Sequence, residues 1–219
     1  MGAVLAHGSF FCYLICMKKI LITAFEPFGG ERINPAQAVL ERLPEAISGA
    51  ALYRSVLPVS YRKSAALLLE QIERVRPDAV VMLGQAGGRA KITPERIAVN
   101  LDHCEACDND GEQRIDSVIH PEGPAAYFST LPVHAMLQEM RKYEVGCAMS
   151  ASAGAFVCNH VSYEALHSIS RMGYGIPAGF IHLPYLPEQA EGKPGAASMP
   201  LSAMVHAVQA ALAAVADSF

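Results

Sequence analysis

Short apolar runs alternate along this chain with segments of helical periodicity, and this alternation constrains the fold more than any other feature. Residues 79–83 are apolar at every position, as in a parallel strand that is buried on both faces. The preceding segment, from about Ser60 onward, repeats apolar residues at helical spacing. Strands that alternate with helices predict a three-layer α/β/α sandwich with a mainly parallel, mixed central sheet.

The remaining elements are predicted from the same patterns. Further strands are expected over residues 20–25, 52–59, 145–150 and 179–183, and further helices over 35–43, 125–143 with a break at 131–132, from about 158, and 201–215. Pro35 directly after Asn34 is typical of a first helical turn behind an asparagine cap. Residues 91–101 break the alternation, and we interpret them as a hairpin beside the main sheet.

Length and composition limit the classes of protein to consider. The 219 residues suit one domain, and a net charge of -4 argues against nucleic-acid binding. Six cysteines in a chain of this length are not a disulfide framework, so a reduced, cytoplasmic location is expected.

The first sixteen residues are interpreted separately. They lack a cationic segment and a cleavage site, and their apolar runs are too short to span a membrane. We expect residues 1–16 to be a non-native or disordered extension ahead of an initiating Met17, with residues 17–219 as a single domain.

Chemically useful side chains follow several of the predicted strands. In open α/β sheets, sites form outside the carboxyl ends of the strands, so these side chains should converge on one crevice. The set comprises Phe25, Glu26, Phe28, Gln85, Glu95, Cys158, His160 and His182.

Cys158 is the candidate nucleophile because it is predicted to lie at a helix N-terminus. The free N–H groups and the helix dipole would lower the pKa of its thiol, and the same N–H groups could hold an oxyanion. The alternative is a small buried apolar residue, which most free cysteines are.

His182 is the candidate general base, since an imidazole can take the thiol proton and return it to a leaving amine. Its alternative is a hydrogen-bonded core histidine. His160 is a weaker candidate, because side chains two positions apart on a helix point in different directions. Glu95 would orient the imidazole, although an exposed carboxylate paired with Arg96 is the simpler interpretation of that residue alone.

Two other motifs favour neither a cofactor nor a metal. The glycine-rich segment 84–89 fits no nucleotide-binding signature. His103, Cys104 and Cys107 would need a second ligand pair to bind zinc, and only Cys12 and Cys16 are available. We therefore expect no metal and no cofactor.

Four segments in order resemble the type I pyroglutamyl peptidases, also called pyrrolidone-carboxylate peptidases. They read KILITAFEPFGG (19–30), GQAGGR with ITPERIAVN (84–100), SAGAFVCNH (152–160) and GFIHLPYLP (179–187). The resemblance covers essentially everything after Met17. It implies a metal-free cytosolic cysteine peptidase, often a homotetramer, that removes N-terminal pyroglutamate from peptides through a thioester.

The resemblance also implies residue roles. Cys158 matches the family nucleophile, His182 the base and Glu95 the acid. The substrate is an uncharged lactam, which needs a flat apolar slot and partners for one N–H and one C=O.

Four residues are expected to bind this lactam. Phe25, Phe28 and Val157 match positions that line the slot, and the side chain or backbone of Gln85 is the candidate polar partner.

The sequence departs from the family at residues 105–109, which read EACDN where members commonly show RIPDN. This loop is expected to border the pocket. An alternative is therefore a catalytically silent small-molecule binding protein that uses the same crevice. A nucleoside-processing enzyme is a third hypothesis, disfavoured by the missing phosphate loop.

Overall fold

A six-stranded sheet lies at the centre of the computed structural model, which describes residues 17–219; the expectation for residues 1–16 falls outside this range. Its strands, in spatial order, are β2 (Ala46–Ile47), β3 (Ala50–Leu57), β1 (Lys18–Phe25), β4 (Ala79–Gln85), β10 (Ala178–Leu183) and β5 (Thr93–Pro94). The four long strands run parallel, and the short edge strands β2 and β5 are antiparallel to their neighbours. The predicted mainly parallel, mixed sheet is confirmed.

Helices cover both faces of this sheet. They are α1 (Pro35–Arg42), α2 (Tyr61–Val75), α3 (Val133–Arg141), α4 (Val157–Met172), α5 (Pro187–Ala190) and α6 (Leu201–Ala216). Alternate strand residues point to opposite faces, so Leu21 packs in the core with α2 and α4, while Ile20 and Ile22 pack with α1, α3 and α6. The three-layer α/β/α sandwich is therefore confirmed.

Polar caps fix the starts of two helices as the sequence predicted. The Asn34 side chain accepts a hydrogen bond from the Ala36 N–H at 2.9 Å, ahead of Pro35 in the first turn of α1. Ser60 accepts from the Lys63 N–H at 3.2 Å at the start of α2. Each cap satisfies an N–H group that has no partner within its helix.

Three predicted elements were wrong. Residues 125–130 are not helical, because Ala126–Phe128 forms strand β9 and pairs with β6 (Ile97–Val99). The predicted hairpin over 91–101 does not form, since β5 pairs with β10 instead of with β6. Residues 145–150 are not a strand of the main sheet and make only two isolated bridges, to Ile92 and Glu95.

A second small ribbon joins β7 (Asp102–Cys104) to β8 (Arg114–Ser117), with the divergent 105–109 loop between them. Within residues 17–219, no helix is long and apolar enough to cross a membrane.

Candidate active site

One cavity lies at the carboxyl ends of β1 and β4 and at the first turn of α4. Its free space, including the part that is open to solvent, is about 220 Å³. Its lining residues are Phe25, Phe28, Asn34, Val59, Gln85, Phe156, Val157 and Cys158. The structure thus brings the four residues expected to bind the lactam together with the candidate nucleophile. Sequence reasoning missed Asn34, Val59 and Phe156; the position of Phe156, directly before Val157, was the available signal.

The Cys158 thiol lies against β4 at a glycine. A Cβ atom on Gly84 would stand 3.1 Å from Cys158 Sγ and 2.6 Å from the ring of Phe180. Gly84 is the register partner of His182 on β10, and Phe180 and His182 share one face because they are two residues apart. The Cys158 thiol, which projects from α4 onto β4, and the His182 imidazole of the neighbouring β10 therefore occupy the same face of the sheet.

His182 is hydrogen-bonded to Glu95. Its Nδ1 lies 2.7 Å from Glu95 Oε1, and both residues are buried. The backbone N–H of Glu95 donates to the Phe180 carbonyl at 2.8 Å, which ties the carboxylate to β10. The interpretation of Glu95 as an exposed partner of Arg96 is wrong, because the Arg96 guanidinium donates to the Ser129 carbonyl and lies over the ring of Phe128.

The charge partner of Glu95 is Arg89, a residue to which sequence reasoning assigned no role. Its Nη1 lies 2.5 Å from Glu95 Oε1. The available signal was its place at the end of the glycine-rich segment after β4, where a side chain can reach the strand ends.

Burial determines the protonation of the resting site. It raises the pKa of the Cys158 thiol to about 12, and the nearby Glu95 carboxylate acts in the same direction. A backbone hydrogen bond acts to lower this pKa, as expected of a helix start, but burial outweighs it, so the expected net lowering is wrong. Burial also lowers the pKa of His182, although the bond to Glu95 opposes this.

Burial would raise the pKa of the Glu95 carboxyl, but the hydrogen bond from His182 and the charges around it hold this pKa below its usual value. The resting site is thus a neutral thiol, a neutral imidazole and a carboxylate anion at neutral pH. A neutral thiol needs a base to become a nucleophile, and a neutral imidazole is able to act as one.

Unpaired backbone donors surround the thiol. Helix α4 begins at Val157, and its first N–H groups have no helical carbonyl one turn earlier to which they could donate. Phe156 occupies the cap position and contributes no side-chain hydrogen bond. These N–H groups remain available to hold an oxyanion next to Cys158.

The two residues after Cys158 attach α4 to the segment 97–104. Asn159 accepts from the Val99 N–H and donates to the Val99 and Leu101 carbonyls, each at 2.9 Å. His160 Nδ1 lies 2.8 Å from Oδ2 of the buried Asp102, so His160 belongs to a separate hydrogen-bonded pair.

The divergent loop lies behind the cavity. None of residues 105–107 lines it, contrary to expectation. The adjacent Asn109 donates to Glu26 Oε1 at 2.9 Å and to the Pro27 carbonyl at 3.0 Å, so the loop supports the turn that carries Phe28. Arg114 is the register partner of Cys104, and its guanidinium donates to Glu112 and to Asp102, each at 2.8 Å.

The cysteine pair of this loop does not complete a metal site in the described residues. His103 Nδ1 lies 2.9 Å from Asp116 Oδ1, and no group of three or more potential ligands converges anywhere in residues 17–219.

A thiol at a helix start, beside a histidine that is bonded to a carboxylate, is the arrangement of thiol-dependent hydrolases. The comparisons with known proteins narrow this class. Residues 18–218 match the family model described as pyroglutamyl peptidase. The chain is 46% identical over 198 residues to a pyrrolidone-carboxylate peptidase of Thermoanaerobacter sp. (strain X514), covering 90% of this chain and 98% of that one.

Solved structures agree. The crystal structure of pyroglutamyl peptidase I from Bacillus amyloliquefaciens superposes with a TM-score of 0.88 at 41% identity, covering 91% of this chain and 95% of that one. Pyrrolidone carboxyl peptidase from Thermococcus litoralis gives 0.88 at 40% identity, covering 92% and 94%. This chain belongs to the pyroglutamyl peptidase family.

Proposed function

We propose that this chain is a cysteine peptidase that hydrolyses the bond after an N-terminal pyroglutamyl residue, with Cys158 as nucleophile, His182 as base and Glu95 as orienting acid. The observation that carries the proposal is that the Cys158 thiol lines an apolar cavity and lies on the same face of the sheet as the buried His182–Glu95 pair. Family membership supports the same substrate.

The reaction proceeds in two stages. His182 Nε2 takes the proton of the Cys158 thiol, and Sγ attacks the carbonyl carbon of the pyroglutamyl–peptide bond. Backbone N–H groups at the start of α4 hold the oxyanion, and Glu95 stabilises the imidazolium. The C–N bond breaks as the amine leaves with the proton from His182. Water, deprotonated by His182, then hydrolyses the thioester and releases pyroglutamate.

The cavity suits an uncharged lactam. Its walls are largely the side chains of Phe25, Phe28, Phe156 and Val157. A charged N-terminus would lose its hydration there without a counter-charge, at a cost of several kcal/mol. The pocket therefore selects the cyclised, neutral N-terminal residue.

The backbone of Gln85 supplies the polar partners for the lactam. The Ala86 N–H donates to Leu183, so the Gln85 N–H and C=O, one position earlier, point away from β10 toward β1. The register between β1 and β4 ends at Thr23 and Met82. The backbone N–H and C=O of Gln85 thus lie beyond the last paired residues, at the cavity. There the N–H can donate to the C=O of the lactam ring, and the C=O can accept from the ring N–H. Its side-chain Oε1 is already engaged by Gln189 at 2.9 Å.

A cytoplasmic location and a homotetrameric assembly are part of this proposal. The free thiol that the chemistry needs is stable in a reducing compartment. Peptides with N-terminal pyroglutamate are the partners.

Replacement of the nucleophile tests the function. We expect Cys158→Ala to lower kcat on a pyroglutamyl amide by at least about a thousandfold, because the variant can form no thioester. The matched control is Cys147→Ser, whose half-buried sulfur lies 3.8 Å from the Leu137 carbonyl, outside the cavity. It should retain activity.

Two results would contradict the proposal. Cys158→Ala activity within tenfold of the wild type, with an unchanged circular dichroism spectrum, would remove Cys158 from the mechanism. A wild-type chain that binds pyroglutamate but does not hydrolyse the amide would identify a silent binding protein instead.

A further inference from the structure

Arg89 holds the carboxylate of Glu95 through a forked set of contacts. Its Nη1 lies 2.5 Å from Glu95 Oε1 and 2.6 Å from Thr93 Oγ1, and its Nη2 donates to the Ser152 carbonyl at 2.9 Å. These contacts join the segment after β4, the edge strand β5 and the chain that leads to α4. The planar guanidinium makes all of them at once, which a single ammonium group could not do.

Arg89 and His182 share one oxygen atom. Glu95 Oε1 accepts from Arg89 and also faces His182 Nδ1 at 2.7 Å. Glu95 Oε2 is buried and has no hydrogen-bond partner among residues 17–219. Arg89 and His182 therefore compete for the same carboxylate oxygen, so the strength of one contact affects the strength of the other.

We infer that Arg89 is a positioning residue that fixes Glu95 and limits how strongly this carboxylate supports the His182 cation. The inference rests on the proposed function, in which His182 deprotonates Cys158. Arg89 itself touches neither the thiol nor the substrate slot in this structure.

Two opposing effects explain why such a residue is useful. A buried carboxylate without a positive partner would be costly to keep ionised, and Arg89 supplies that partner. The bond to an ionised Glu95 and the negative charge of that carboxylate act to raise the pKa of His182. The positive charge of Arg89 counters this and lowers the pKa of His182, although less than burial does. A base works best when its pKa lies near the working pH.

Few charged groups face His182. Glu95 approaches from the segment after β5, Arg89 from the segment after β4, and Cys158 from α4. The remaining neighbours of this network are neutral: Thr93, Ser150 and the ring of Phe180. The titration of His182 therefore depends chiefly on this small set.

The test is the pH profile of kcat/KM, whose acid limb reports the base in the free enzyme. Arg89→Gln removes the positive charge, so the imidazolium is stabilised and the acid limb should move to higher pH by roughly one unit. Arg89→Lys keeps the charge, so its limb should stay near the wild-type position. Its kcat should fall about tenfold with little change in KM, because lysine cannot make the forked contacts.

Arg96→Gln is the matched control. It removes a neighbouring arginine that contacts Ser129 and Phe128 rather than Glu95. Its acid limb should not move. A general loss of stability would lower the maximum kcat/KM of all three variants without moving the acid limb of the pH profile.

Three outcomes would overturn the inference: an acid limb of Arg89→Gln at the wild-type position, an equal shift in Arg96→Gln, or a wild-type kcat in Arg89→Lys. The last measurement decides the matter if Arg89→Gln does not fold. Cys158→Ala separates this inference from the proposed function, since an active Cys158→Ala refutes the function whatever Arg89 does.

Discussion

Gly84 leaves the space in which the Cys158 thiol sits, and adding one methyl group there is the sharpest perturbation the structure offers. In Gly84→Ala the new Cβ would lie 2.6 Å and 2.8 Å from two carbon atoms of the Phe180 ring, and 3.1 Å from Cys158 Sγ. Carbon atoms pack at about 3.5–4.0 Å, so the ring must retreat by roughly 1 Å. The ring has little room, because Phe180 is buried against Phe25 and His182.

The size of the effect follows from this geometry. Overpacking a tight core costs about 1–3 kcal/mol, and we expect the free energy of unfolding to fall by that amount. The catalytic loss should be larger, because the thiol and the ring beside His182 must both move. Misplacement of reacting groups by about 1 Å costs roughly a hundredfold in rate. The expected kcat of Gly84→Ala is therefore about 10 to 100 times lower, with a smaller change in KM.

The assay compares turnover of a pyroglutamyl amide with urea unfolding for the same preparations. Gly146→Ala is the control, because its new Cβ would meet only Lys91 Cγ at 3.5 Å and the Ala90 carbonyl at 3.7 Å, which are ordinary contacts. Wild-type turnover and wild-type stability in Gly84→Ala would refute the packing argument. Equal losses in Gly146→Ala would show that glycine substitution alone is responsible.

Two further predictions concern the surroundings of the site. Asn159→Ala should lower the free energy of unfolding by about 1–3 kcal/mol in urea titrations, since it leaves partly buried backbone groups of Val99 and Leu101 without their side-chain partner; an unchanged midpoint would contradict this. Because the pKa of His182 is depressed in the folded state, its contribution to stability is complete above the usual value of 6.5 and is lost as the pH falls below it. The melting temperature should thus decline on acidification, more steeply in the wild type than in His182→Gln, and parallel curves would count against it.

Local signals made much of the fold predictable. The unbroken apolar run at 79–83 and the caps at Asn34 and Ser60 depend on neighbours within a few positions, and the structure has the expected strand and helices there. The candidate site could also be predicted from the sequence, because the end of a strand and the start of a helix can be placed from local pattern alone.

Pairings between distant segments were not predictable in this way. The strand β9 pairs with β6 across about thirty residues of chain, so no local pattern at 126–128 separates it from a helix. Arg96 is next to Glu95 in sequence, but neighbouring residues of extended chain point in opposite directions, and Arg89 makes the contact instead. The raised pKa of Cys158 depends on burial by β4 and β10, which the sequence of α4 alone does not contain.

Two clusters, each of one carboxylate, one histidine and one arginine, lie near Cys158, and the difference between them shows what decides the chemistry here. Asp102 Oδ2 meets both His160 and Arg114 at 2.8 Å, just as Glu95 Oε1 meets His182 and Arg89. In each carboxylate the second oxygen is buried and has no partner within the described chain. His160, however, lies on α4, the same helix as Cys158, and its ring is directed to Asp102 on β7. This cluster therefore attaches the helix to β7.

His182 lies on a different element, as the strand neighbour of the glycine that the thiol touches. A general base must come within hydrogen-bond reach of the proton that it takes from the nucleophile. Position relative to Gly84, rather than the identity of the side chains, therefore assigns the catalytic role to the cluster of His182, Glu95 and Arg89 in the proposed mechanism.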